Sequence, residues 1–308
     1  MPGSPDVLIV GAGPAGVSAA LWARSYHLLP ALVESGAAPG GQLRHIHFHP
    51  LDLVGVDGGD GPDIAGVLAR QLRGGRIEVR TGLEAVALEA GGEVNTPRVV
   101  TADGGTHDGA VVVVATGVRR RKLDVPGEAE FDGRGVSYSA SRDRAMFANR
   151  RVVVVGGGDG AFENALLLSD VGCKVTLVMR GMPRARHDFL ARVAEDGRIE
   201  VLAAAYVTAI RGDDWVKAVR IETEDRAFER PVDGVVIKIG VIPNTEWCAK
   251  ALDLDPEGYV IVDAGLRTAR TRVWAVGDVT RPTPPSLAVA AGHGAIAMAG
   301  ILRLVRPE

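Results

Sequence analysis

Gly11, Gly13 and Gly16 stand directly after the apolar run Val7–Val10, and Glu34 closes the next apolar run 18 residues beyond Gly16. Glycines at that spacing allow a sharp turn and let a backbone approach a pyrophosphate. The helix that follows offers the partial positive charge of its N-terminus, and a carboxylate ending the second strand accepts from ribose hydroxyls. A glycine triplet alone is common; strand, helix and acid together predict a dinucleotide site. A second set, Gly156, Gly158 and Ala161 with Asp159 and Gly160 between them, follows the run "RVVVV". Met179 stands where the first set has its acid, followed by Arg180, Arg184 and Arg186. Losing an acid and gaining guanidiniums favours a ribose carrying a 2′-phosphate, so the second set predicts NADP in preference to NAD. A solvated basic loop is the alternative for these arginines.

Each set needs strand, turn, helix and strand to position it, and residues 6–35 and 151–180 repeat that grammar. The repeat predicts an α/β chain with two Rossmann-like dinucleotide-binding domains. Short alternating segments such as "RIEVRTGLEAVALEA" and "WVKAVRIETED" predict small antiparallel additions to each domain. Stretches with Gly and Pro at "GVRRRKLDVPGE" and "IGVIPNTEW" read as connections. The chain of 308 residues, 46% hydrophobic and 24% charged, suits two soluble domains. A net charge of −3 gives no field that recruits nucleic acid. Arg supplies 30 of the 35 basic residues, a bias that suits planar recognition of phosphate and also arises from genome composition. No leader is evident at "MPGSPDVLIV" and no run is expected to span a bilayer, so the expected location is cytoplasmic, with no membrane partner.

The segment "TRVWAVGDV", with Gly277 and Asp278, resembles the second FAD fingerprint of two-dinucleotide flavoproteins. "GGQL", with Gly41, Gln42 and Leu43, and "VVATG", with Ala115, Thr116 and Gly117, match FAD-domain positions of the low-molecular-weight thioredoxin reductases. From Val7 to about Leu304 the chain is similar to that family, with its motifs in the same order. The resemblance implies a discontinuous FAD domain at 1–117 and 247–308 and an inserted NAD(P)H domain at 118–246. It also implies FAD contacts at Ala15, Ser35, Val86, Leu287 and Ala288, a nicotinamide-coenzyme contact at Gly240, and a homodimer.

Four departures bear on activity. The slot of the family's redox-active Cys-x-x-Cys pair reads Ser139-Ala140-Ser141-Arg142, and the chain's two cysteines, Cys173 and Cys248, lie elsewhere. Ala15 stands where another thiol-reductase subgroup has a single cysteine. The family's Tyr-Arg-Gln-Ala ahead of the last helix is replaced by Pro284-Pro285-Ser286-Leu287. His45, His47 and His49 alternate in "RHIHFHP", so an extended chain would place all three on one side. A metal is disfavoured, because the end-to-end reach is too long for one tetrahedral ion; a flavin-pocket role and plain loop exposure remain. The run Arg119, Arg120, Arg121 and Lys122 reads as a solvated hinge or as a patch steering an acidic redox protein.

The expected activity is hydride transfer from NADPH, or NADH, to FAD. Electrons then pass to an acceptor other than an internal disulfide: a redox protein, a quinone, oxygen or a small metabolite. Two other readings stand beside it, a flavin-dependent oxidase of a small metabolite that uses no nicotinamide, and a non-catalytic flavin- or nucleotide-binding module.

Overall fold

The structure, a computed structural model, describes residues 4–47, 50, 53–92 and 95–306. Among these are six α-helices: α1 (Pro14–Ser25), α2 (Gly61–Gly74), α3 (Ala140–Phe147), α4 (Asp159–Ser169), α5 (His187–Glu195) and α6 (Leu287–Val305). The chain divides into two compact units, Met1–Arg119 with Ile242–Glu308, and Arg120–Val241. The return crossing at Ile242 precedes the expected 247, because the carbonyl and side chain of Asn244 already bond to Thr116 of the first unit.

The first unit holds a five-stranded parallel sheet in the order Val273–Ala275, Val111–Val114, Val7–Val10, Pro30–Glu34, Glu78–Thr81. Val7–Val10 and Val111–Val114 are buried at every position, as strands covered on both faces must be. Helix α1 opens with Pro14, whose fixed φ and missing N–H suit a first turn. The antiparallel strands Ala85–Glu89, Arg98–Thr101 and Thr106–Asp108 form a small added sheet.

Helix α6 lies against α1 with small residues at the contact. A Cβ on Gly294 would meet the Ala19 nitrogen at 2.6 Å, and the Ser18 hydroxyl donates to the Ala291 carbonyl at 2.6 Å. By length and composition α6 could cross a bilayer, with a mean hydropathy of 1.6, contrary to the sequence expectation that no run would do so. Its leucines, isoleucines, valines and alanines supply the hydropathy, and Ala290, Gly294, Ala297, Met298 and Ile301 are buried within the unit.

The second unit repeats the scheme with Ile199–Leu202, Lys174–Val178, Arg151–Val155, Gly234–Ile237 and Val136–Ser137 in parallel, beside an antiparallel sheet of Ala205–Gly212, Val216–Thr223 and Ala227–Pro231. Each unit therefore carries its glycine turn at the carboxyl end of a central strand, where doubly wound sheets receive ligands.

Candidate functional site: two glycine turns

In the first unit the turn after Val10 encloses one side of a cavity of about 890 Å³. Gly11 has φ +106°, and a Cβ there would lie 2.4 Å from the Ala115 carbonyl oxygen, so only glycine lets the two central strands close at this point. Gly11, Gly13 and Ala15 line the cavity, as do Glu34, Ser35, Gly41, Gln42 and Leu43. Ala115, Thr116, Gly117, Gly277, Asp278 and Leu287 complete the sequence-predicted set at its wall. The Glu34 carboxylate accepts from the Ala12 N–H at 2.6 Å and the Gly36 N–H at 2.7 Å, which holds the acid beside the turn.

Three predicted positions lie off the wall. Gly16 packs helix to strand, since a Cβ there would be 2.0 Å from the Gly11 oxygen. Val86 is 47% exposed, while its neighbour Ala85 faces the cavity; side chains alternate along a strand. Ala288 is passed over in favour of Leu287 and Ala290.

Of the three histidines, the two that are described, His45 and His47, have different surroundings. Gly41–His45 is a 3₁₀ turn rather than an extended segment, which breaks the alternation that would have aligned them. His45 lines the cavity, His47 lies 4.0 Å from the Asp60 carboxylate, and His49 lies outside the described residues.

Sequence reasoning missed two contributors. Trp247 lines the cavity, and its indole N–H is buried with no hydrogen-bond partner among the described residues. His293, from α6, accepts the Gly277 N–H on Nδ1 at 3.2 Å. Burial lowers its pKa, which keeps that nitrogen free to accept. Burial also raises the pKa of Asp278, whose carboxylate has no hydrogen-bond partner among the described residues. An unpartnered donor and an unpartnered carboxylate in the wall of a glycine-floored cavity fit a dinucleotide bearing hydroxyl groups.

In the second unit Gly156 has φ +145°, and a Cβ there would meet the Lys238 carbonyl oxygen at 2.1 Å. Gly158 is the N-cap of α4 and gives it no side-chain cap; the Ala161 N–H donates to the Gly158 carbonyl at 2.9 Å, which leaves the amide of Gly160 in the first turn as a donor for a pyrophosphate. Met179 is 3% exposed and packs towards Gly157. Of the three arginines, Arg186 is committed to Asp159, with Nε 3.2 Å from the carboxylate and its backbone N–H donating at 2.7 Å. The backbone N–H of Arg184 donates to the Gly157 carbonyl at 2.7 Å, which draws the loop onto the turn, while the Arg180 and Arg184 side chains stay exposed. Gly240, at φ +91°, accepts from the Arg121 N–H.

The expected four-cation patch is not four free charges. Arg119 forms an ion pair with Glu246 and donates to the Asn244 side chain at 2.9 Å, while Arg120 is half-buried.

At the start of α3, the hydroxyls of Ser139 and Ser141 are 2.9 Å apart, and Arg142 makes two bonds to Asp143, at 2.6 and 2.7 Å. Both cysteines are fully buried. Burial pushes the Cys173 thiol up and the Cys248 thiol up to about 12.

This double-turn arrangement is matched in known proteins. Residues 5–294 match the family model described as pyridine nucleotide-disulphide oxidoreductase. The chain belongs to that family. It is 35% identical over 299 residues to a thioredoxin reductase of Listeria monocytogenes, covering 95% of this chain and 91% of that protein. It is 34% identical over 293 residues to a thioredoxin reductase of Streptomyces coelicolor, covering 94% of this chain and 90% of that protein. A crystal structure of Lactococcus lactis thioredoxin reductase superposes with a TM-score of 0.84 at 30% identity, covering 98% of this chain and 99% of that one. The pyridine nucleotide-disulphide oxidoreductases are FAD-dependent and use NAD(P)H, which two separate dinucleotide cradles fit.

Proposed function

We propose that this member of the family takes hydride from NADPH and passes the electrons through FAD to an acceptor that is not a disulfide of its own chain. The observation that carries this is the start of α3, where Ser139 and Arg142 occupy the slot of the family's thiol pair. A hydroxyl and a guanidinium have no disulfide state to cycle through. The remaining cysteines support the same reading, because thiols that are fully buried with raised pKa values are not nucleophilic thiolates at neutral pH. The relatives named thioredoxin reductase thus share this chain's frame without sharing its route for electrons.

In this reading the first unit holds FAD, which when bound supplies a two-electron carrier between the nicotinamide and the acceptor. Glu34 accepts from a ribose hydroxyl, Asp278 from the ribityl chain, and the Trp247 N–H donates to the nucleotide. His45 stands at the wall where a proton can be given or taken as the flavin changes state. In the second unit the Gly160 amide in the α4 first turn holds a pyrophosphate, and Arg180 and Arg184 hold the 2′-phosphate. Met179 keeps an opposing carboxylate out of that position. The acceptor is a redox protein, a quinone, oxygen or a small metabolite.

The test is rapid mixing of the FAD-loaded protein with NADPH in the absence of oxygen. Flavin bleaching is expected, followed by turnover with at least one non-disulfide acceptor and none with thioredoxin or a small aromatic disulfide beyond free flavin. Disulfide reduction that persists after Cys173→Ser and Cys248→Ser would sink the proposal.

A further inference from the structure

Asp278 stands at the wall of the first cavity with no hydrogen-bond partner for its carboxylate among the described residues, so the backbone that carries it sets its aim. That backbone is the 3₁₀ turn Gly277–Thr280, which follows the strand Val273–Ala275. Gly277 is fixed at three points. Its φ is +76°, and a Cβ on it would lie 2.7 Å from the Ala15 Cβ, so the turn presses against the start of α1. Its carbonyl accepts the Thr280 hydroxyl at 2.8 Å. Its N–H donates to Nδ1 of His293, from α6, at 3.2 Å. Gly277 is buried, so an N–H left there without an acceptor costs free energy.

His293 is itself held in place. Two residues before it, the Ala291 carbonyl accepts the Ser18 hydroxyl at 2.6 Å, and one residue after it a Cβ on Gly294 would meet the Ala19 nitrogen at 2.6 Å. Helix α6 is therefore fixed to α1 on either side of the imidazole, which leaves the ring little room to follow a displaced turn. Few charges face this contact. Asp278 is the ionisable residue of the 3₁₀ turn; α1 has only Arg24 and α6 only Arg303 besides, each in the last turn of its helix. Burial lowers the His293 pKa. A neutral ring accepting on Nδ1 carries its proton on Nε2. Once protonated it donates at both nitrogens, and Nδ1–H would then face the Gly277 N–H, donor against donor.

We propose that His293 is a positioning residue for FAD: by accepting the Gly277 N–H it sets the turn that aims Asp278 at the ribityl chain, and its protonation loosens the cofactor. The proposal rests on the first unit holding FAD with Asp278 towards the ribityl hydroxyls, as argued above. The sign of the pH dependence follows from the bond. FAD affinity is full while His293 is neutral and falls as pH drops through the ring's pKa, which lies below the ordinary histidine value of 6.5. By linkage, bound FAD favours the neutral ring and lowers that pKa further.

The test measures FAD retention by the full chain. FAD-loaded protein is diluted into buffers between about pH 5 and about pH 8, and the fluorescence of released flavin gives a dissociation constant at each pH. Towards acid the constant of the parent should rise by about tenfold more than that of His293→Asn. Asparagine puts an oxygen near the place of Nδ1 and does not titrate, so this variant should match the parent at the alkaline end and keep only the acid dependence of the carboxylates Glu34 and Asp278. His293→Leu, with no acceptor, should bind FAD about tenfold more weakly than the parent at the alkaline end. Parent and His293→Asn following one pH curve would overturn the proposal, as would a His293→Leu protein that holds FAD as tightly as the parent. Titration of the His293 ring by NMR gives a measure that needs no variant: FAD should move its midpoint to lower pH, and an unmoved midpoint would also overturn the proposal. A chain that takes up no FAD at any pH would remove the reading of the first unit together with this one, whereas FAD held equally at every pH removes this one alone, so the two failures are distinguishable.

Discussion

At the third position of the first glycine turn stands Gly16, where a Cβ would sit 2.0 Å from the Gly11 oxygen; the second turn has Ala161 there, its methyl buried and accommodated. At the end of the following strand the first unit has Glu34, bonded back to the turn at Ala12, and the second has the buried Met179 with exposed arginines beyond it. One backbone plan therefore appears in two settings. The first is tight and acidic, suited to ribose hydroxyls; the second is looser and cationic, suited to phosphate. Backbone geometry makes both turns dinucleotide cradles, and the charge beside each decides which dinucleotide is favoured.

The largest effect that could break this comparison is at Gly16. Gly16→Ala should cost about 3 kcal/mol through overpacking against fixed backbone, seen as lost flavin absorbance after gel filtration and a lowered melting temperature. Ala161→Gly, the reciprocal change, should cost about 1 kcal/mol or less. Equal sensitivity of the two turns would end the distinction between them.

Next in size is the coenzyme's phosphate. Arg180→Ala should raise the NADPH dissociation constant by roughly tenfold to a hundredfold and that for NADH far less. Arg186→Ala should do much less, because Arg186 is already held by Asp159. Fluorescence titration of both coenzymes against both variants checks the ranking, and a dominant Arg186 would invert it.

The smallest effect concerns Asp278 in the FAD-free protein. Burial raises its folded-state pKa, so folding takes up protons at this group and stability falls as pH rises through that raised value. Asp278→Asn should therefore melt slightly higher than the parent at pH 7, by about 2 °C or less. The difference should vanish below the ordinary carboxylate range near pH 4, where both side chains are neutral. With FAD present the order should reverse, because the amide loses the carboxylate's acceptor strength towards ribityl hydroxyls. A pH-independent difference would show that charge is not its cause.

The sequence alone determined the α/β fold and both glycine turns, because each is local. Strand, turn and helix read continuously along the chain. Most of the first cavity's wall was legible for the same reason, since Gly11, Glu34, Gln42, Thr116 and Asp278 sit in short motifs. What failed was local geometry without a strong period, as at His45 and His47, where a 3₁₀ turn replaced an extended segment. Val86 failed by one residue of strand register, the smallest slip that exchanges the two faces. Tertiary structure alone decided the partnerships between distant segments: Arg119 with Glu246, and His293 with Gly277. The reason is physical. Backbone propensity acts over a few residues, but the charge and hydrogen bonding of a side chain depend on which strands the sheet order makes neighbours.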